Sequence, residues 1–258
     1  VPLAADQDRA SASDLRRADT LAAYTHATVE APMPKVALRL VVDAALVATA
    51  LFVSAGTLAW SRAWVLLAVL LLVRTIGAYA VHRVNPELLR ERAGLPVHAE
   101  QPRADRVLLL GVLATGFLGT PAIAGLDAFH WHLLPEPARP VAGFGLLLFA
   151  LGWSLKSLAL HANAFAVATV RVQRERAHAV ADSGVYRVVR HPFYAADPLI
   201  FAGMALWLGS YTAALAAVVP VMLMVLRLRL EERVLRRELP GYAAYAARVR
   251  HRLVPGVW

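Results

Sequence analysis

Six stretches of this chain are apolar almost throughout, at about 36–59, 63–82, 107–126, 141–161, 194–209 and 212–230. Most approach the twenty or so residues that cross about 30 Å of hydrocarbon. Lipid offers no hydrogen bonds, so a spanning segment must pair its own N–H and C=O groups, and a helix does this within the segment. The expected fold is therefore an all-α, polytopic integral membrane protein with about six transmembrane helices, the last two joined as a hairpin. Composition agrees: 59% of residues are hydrophobic and 17% charged, against about 45–50% and about 25% for soluble domains. The absence of cysteine excludes disulfides and thiol chemistry.

Charge gives the orientation. The formal net charge is +9, and the basic residues flank apolar runs. Their expected partners are anionic lipid headgroups rather than nucleic acid. Arg9, Arg16, Arg17 and Lys35 lie in the N-terminal segment, and Arg83, Arg90, Arg92, Arg103 and Arg106 in the second connection. The fourth connection carries Arg171, Arg174, Arg176, Arg187 and Arg190. The C-terminal stretch adds Arg227, Arg229, Arg233, Arg236, Arg237, Arg248, Arg250 and Arg252, whereas the opposite side has only Arg62 and Arg139. By the positive-inside rule, both termini are expected in the cytoplasm. The Ala, Leu, Arg and Val bias suggests a GC-rich bacterial genome, hence a bacterial inner membrane.

The chain divides into a polar tail or interfacial helix at 1–35, a four-helix membrane region at 36–161, and a C-terminal region at 162–258. Ser13-Asp14 is a candidate cap for a helix running to about Val29. Asn85-Pro86-Glu87 combines N-cap, N1 and first-turn chemistry and predicts a juxtamembrane amphipathic helix. His130-Trp131-His132 lacks the further ligands that zinc requires; it reads as part of an interfacial aromatic belt, and no metal site is expected.

Chemistry concentrates between His178 and Pro255. The last two apolar stretches are so closely joined that the chain must return to the face it left, bringing Arg190-His191 to Glu231-Glu232, with Arg190 opposite Glu231. Asp197-Pro198 reads as an N-cap and N1, which would leave residues 190–196 non-helical. Each residue has an ordinary explanation: interfacial snorkelling for Arg and His, and i,i+4 pairing of Glu231 with Arg227 and of Glu232 with Arg236. Together they make a polar pocket suited to a zwitterionic, aromatic, hydroxyl-bearing ligand.

The order of His178, Val180, Ser183-Gly184-Val185-Tyr186, Arg190-His191-Pro192 and Tyr194 resembles the isoprenylcysteine carboxyl methyltransferase family and its bacterial relatives. Glu231-Glu232, Leu235, Tyr242, Tyr245 and Arg248-Val249 through Pro255 continue the likeness, which covers about the last 80 residues. Ala196 stands where that family usually has glycine. The resemblance implies S-adenosylmethionine in a cytoplasm-facing pocket, with a lipidic or prenylated acceptor arriving from the bilayer. It implies cofactor contacts from His178, Tyr186, Arg190, His191, Tyr194, Glu231 and Glu232, with Arg248 orienting the acceptor and Glu231 serving catalysis. A carboxylate acceptor needs no general base, whereas a phospholipid amine must first lose a proton. A nicotinamide-dependent, sterol-type reductase and a non-catalytic protein retaining the fold are the alternatives. Oligomeric state is left open.

Overall fold

The computed structural model describes residues 33–95, 97, 101–173, 176 and 178–258, and among these there is no strand. The tail at 1–35, with its Ser13-Asp14 helix start, lies outside the described residues except for its last three. Lys35–Trp258 forms one compact unit. Its helices are α1 (Met33–Ala55), α2 (Ser61–His82), α3 (Pro86–Ala93), α4 (Arg103–Trp131), α5 (Arg139–Ala162), α6 (Pro192–Trp207), α7 (Tyr211–Glu238) and α8 (Tyr242–Arg248).

Five of these, α1, α2, α4, α5 and α7, are long and apolar enough to cross a membrane. The remaining apolar stretch forms α6, whose 16 residues span only about 24 Å. Hence five helices reach full spanning length, and the sixth apolar segment is a short arm. Its start is set by Pro192 at the first helical position with His191 before it. Asp197 and Pro198 do not open the helix as expected; Pro198 lies inside it. Pro192 already supplies a start, and the Asp197 carboxylate is taken by Lys156 Nζ at 2.8 Å. The arm ends at Leu208-Gly209-Ser210, where Gly209 takes a positive φ of 88°, a conformation without penalty only for glycine. Ser210 Oγ then accepts the Ala213 N–H at 2.9 Å and starts α7.

The α5–α6 contact is the most extensive between helices among the described residues. A Cβ on Gly203 would lie 2.6 Å from the Gly145 carbonyl, and one on Gly152 would lie 3.0 Å from the Ala196 carbonyl. Small residues let two helices pack backbone to backbone in lipid, where packing rather than water exclusion drives association. Ala196 is fully buried in this contact. Its methyl group faces helix packing and forms no part of the cavity wall described below.

Each end of the bundle has its own polar contacts. At one end Arg62 pairs with Glu136 at 2.6 Å, the Trp207 indole donates to the Arg62 carbonyl, and Ser210 donates to Asp127. At the other end Asn85 holds the N-cap position of α3 with Pro86 opening the helix, as expected, but its side chain makes no capping bond. Its amide instead donates to the carbonyls of Leu160 and His161 at 3.0 and 2.9 Å, answering the unpaired C=O groups at the end of α5. Glu91 reaches Arg171 and Arg176. The α3 segment, the long fourth connection and the C-terminal tail therefore share one end.

Candidate active site

The non-helical segment before α6 is held by the tail. The backbone N–H groups of Arg190 and His191 donate to the carbonyls of His251 and Arg252, both at 2.9 Å. Arg190 Nη1 donates to the carbonyls of Val249 and Arg250 at 2.7 and 2.8 Å, and Nη2 pairs with Glu232 at 2.8 Å. Glu232 is then saturated by Arg252 at 2.5 Å and by its i,i+4 neighbour Arg236 at 3.1 Å. Arg190 therefore meets Glu232, not Glu231. Consecutive helical residues point about 100° apart, so one carboxylate turns to the tail and the other into the bundle.

Glu231 belongs to a second network. The Tyr194 hydroxyl donates to Glu231 Oε2 at 2.5 Å and accepts from Arg227 Nη1 at 2.9 Å. Arg227 does not pair with Glu231 as an i,i+4 partner. It reaches Asp105 on α4 at 2.8 Å and donates to the Ala168 carbonyl. Asp105 also accepts from Gln101 and from the Val170 N–H. One arginine thus ties α7 to α4, α6 and the fourth connection, through the charge-assisted bonds that suit a buried guanidinium.

These networks border a cavity of about 290 Å³. His178, Tyr186, Arg190, His191, Tyr194 and Glu231 line it, together with Tyr242 and Tyr245; Glu232 and Arg248 do not. Glu232 acts from behind, on Arg190. Arg248 is exposed and pairs with Asp182 at 2.5 Å. The His178 ring stacks on Phe165 with centroids 4.4 Å apart, and its Nδ1 accepts the Gln173 N–H, which puts the proton of the neutral ring on Nε2. Asn163 donates to the Tyr186 hydroxyl at 3.2 Å. Burial raises the hydroxyl pKa of Tyr186 and Tyr242 and pushes that of Tyr245 up to about 12, so all three are neutral near pH 7. From the cavity's other side come apolar side chains of α1, α2, α4 and α5, among them Val47, Leu70, Phe117 and Phe149.

Burial lowers the pKa of His191, against the opposing pull of Glu231 and Glu232. The unfolded chain then takes up a proton that the folded chain refuses. Stability is complete above the unfolded value of about 6.5 and declines as pH falls below it. Melting temperature should therefore drop as the pH goes from about 7.5 to about 5.5, and less steeply for His191→Gln. Equal slopes would mean that other groups control the acid limb.

Several polar residues at the cavity were missed in the sequence reading: Lys156, Asp197 and Asp43 within apolar stretches, Asn163, and Arg92 on α3. The first three carried a signal, because ionisable residues inside spanning segments are costly and face the bundle interior or a cavity. Arg92 carried none, since it stands in an ordinary basic juxtamembrane helix.

Residues 141–240 match the family model described as phospholipid methyltransferase. No curated protein matches the chain. The matched stretch contains α5, the fourth connection, α6 and α7, and with them every cavity residue named above between Phe149 and Glu231. Over this stretch, 100 of the 258 residues, the chain is similar to the phospholipid methyltransferase family, in the isoprenylcysteine carboxyl methyltransferase-like group.

Proposed function

We propose that this protein transfers the methyl group of S-adenosylmethionine to a lipidic acceptor drawn from the bilayer, with an acceptor carboxylate as the methylated group. One observation carries the reading: two buried or half-buried polar groups of the same cavity have unused bonding capacity. Arg190 Nε–H is buried without a partner among the described residues. Glu231, half-buried in the same wall, accepts the Tyr194 hydroxyl on Oε2, and a carboxylate has further lone pairs to offer. Unpaired buried donors are rare in folded proteins and call for an explanation. A zwitterionic amino-acid group supplies one, with its carboxylate at Arg190 Nε–H and its ammonium at Glu231. Ribose hydroxyls offer Glu231 the same donor chemistry.

The cofactor supplies an electrophilic methyl group on sulfonium. The chain's residues position the reactants and exclude water. The Arg190–Glu232 clamp fixes the segment between Tyr186 and Tyr194, and the Asp105–Arg227–Tyr194 network orients Glu231. Tyrosine faces along the wall suit a sulfonium cation. Preorganisation of this kind is the main catalytic means available for an in-line displacement. Arg248, outside the wall, has no part in this assignment. A phospholipid amine acceptor is the second reading, favoured by the description of the matching family; there His191, held neutral by burial, is the group able to take the proton. With the basic connections at the site's end of the bundle, that end is assigned to the cytoplasm.

The test is thermal stabilisation of the detergent-purified full chain. S-adenosylhomocysteine should raise the melting temperature, because a ligand that binds only the native state stabilises it by mass action. NADPH should not. Stabilisation by NADPH alone would transfer the assignment to a reductase.

A further inference from the structure

The cations around the cavity are nearly all matched to carboxylates. Lys156 pairs with Asp197, Arg74 with Asp43 and Arg227 with Asp105, each within 2.8 Å. Arg92 is the exception among the described residues. It lines the cavity from α3 and donates to the Ala166 carbonyl at 2.5 Å. Its guanidinium sits 4.6 Å from the Phe193 ring centroid, a ring that Lys156 Nζ also approaches to 3.6 Å. No carboxylate among the described residues is paired with it, since neighbouring Glu91 is turned to Arg171 and Arg176. Burial, with the charges of Arg227 and Arg74, lowers the Arg92 pKa to about 10. It is still a cation near neutral pH, and desolvating a cation without a counter-charge is costly.

A second orphan lies along the same wall. Trp153, one turn before Lys156 on α5, lines the cavity, and its Nε1–H is buried without a partner among the described residues. The Arg74 guanidinium lies 4.7 Å from its ring centroid. The lining also carries the apolar side chains Leu46, Val47, Leu70 and Phe149, beside the mutually paired Arg39, Asp43 and Arg74. Among the described residues, a cation lacking its anion, a donor lacking its acceptor and a set of apolar side chains thus line one cavity.

We propose that Arg92 and the Trp153 Nε1–H form the acceptor's headgroup subsite, which recognises an oxyanion, carboxylate or phosphate, on a single-chain or multi-chain lipid whose tail lies on α1, α2 and α5. The oxyanion neutralises Arg92 and accepts from the indole. This rests on the methyl-transfer reading above and adds the residues that select the acceptor.

Binding to the full chain in a neutral maltoside detergent tests it, with hexadecanoate, hexadecyl phosphate and hexadecanol as probes and melting temperature as the readout. Wild type should be stabilised by the two anionic probes and not by the alcohol, and the stronger of the two identifies the oxyanion. Arg92→Gln should weaken the preferred anionic probe about ten- to hundred-fold, as expected for loss of charge-assisted bonds. Arg92→Lys should lose less. Trp153→Phe, which keeps a ring beside Arg74 but removes the donor, should lose about three- to ten-fold. Arg237→Gln, at an exposed residue paired with Glu238, controls for non-specific attraction and should bind like wild type. The subsite is overturned if Arg92→Gln binds the anionic lipids as wild type does, or if its loss falls on S-adenosylhomocysteine instead. A wild type stabilised by S-adenosylhomocysteine but by neither anionic lipid also overturns it, and leaves the methyltransferase reading intact. Lipid stabilisation without any response to S-adenosylhomocysteine would keep the subsite and remove the reading it was built on.

Discussion

Lys156→Met and Asp197→Asn should each destabilise the protein severely, by about 3–5 kcal/mol, because each strands one partner of a buried ion pair. The two side chains are 8% and 5% exposed and 2.8 Å apart. Lys156 Nζ also donates to the Phe193 carbonyl at 3.3 Å. Pro198 has no N–H to offer the Tyr194 carbonyl one turn back, so the start of α6 is short of one internal hydrogen bond; the lysine bonds the neighbouring carbonyl. The double replacement Lys156→Met with Asp197→Leu should recover most of the loss, since an apolar pair of similar volume often replaces a buried ion pair at little cost. Thermal melts of purified variants decide the matter. Single variants within about 0.5 kcal/mol of wild type, the range of ordinary surface changes, would show that the pair is solvated and does not hold α5 to α6.

The second large effect falls on binding. Glu231→Gln should weaken S-adenosylhomocysteine binding about ten- to hundred-fold, the range for losing a charged hydrogen bond of about 1.5–3 kcal/mol. Stability should change little, since glutamine keeps an oxygen for the Tyr194 hydroxyl. Arg236→Ala removes only a half-exposed i,i+4 partner of Glu232 and should cost about 0.2–0.5 kcal/mol. Arg248→Ala, in an exposed pair with Asp182, should leave both cofactor affinity and turnover near wild type. Calorimetric titration of the three variants separates these outcomes. Uniform weakening across all three would mean that Glu231 acts through the general integrity of the tail. A turnover defect confined to Arg248→Ala would return that residue to the acceptor.

Spanning helices were legible in the sequence because the bilayer imposes a length and an internal hydrogen-bonding rule that apolar runs display directly. The hairpin followed from the two residues that join stretches 194–209 and 212–230, where the structure turns at Leu208-Gly209-Ser210, and the convergence of Arg190-His191 with Glu231-Glu232 followed from the hairpin. Six of the eight residues singled out, His178, Tyr186, Arg190, His191, Tyr194 and Glu231, line one cavity. Partner choice was not legible. Glu231 and Glu232 are chemically identical neighbours, and only the rotation of α7 against α6 and the tail sends one to Tyr194 and the other to Arg190.

The same distinction runs through the rest of the molecule. Asn85-Pro86 does open α3 as the local pattern reads, yet the Asn85 amide bonds the end of α5 rather than its own helix, because unpaired carbonyls there outcompete a solvated helix start. Asp197-Pro198 reads as a second start, yet burial beside Lys156 assigns the carboxylate to an ion pair. Arg92 is one of many arginines in the sequence, and only the packing of α3 against Phe193 and Ala166 leaves it facing a cavity without a counter-charge. By itself the sequence determined what depends on length, polarity and local spacing: the helices, the hairpin and the end of the bundle that carries the chemistry. Tertiary structure alone decided which charges are matched, because pairing energy depends on distances and desolvation between segments far apart in the chain, and no local pattern encodes either.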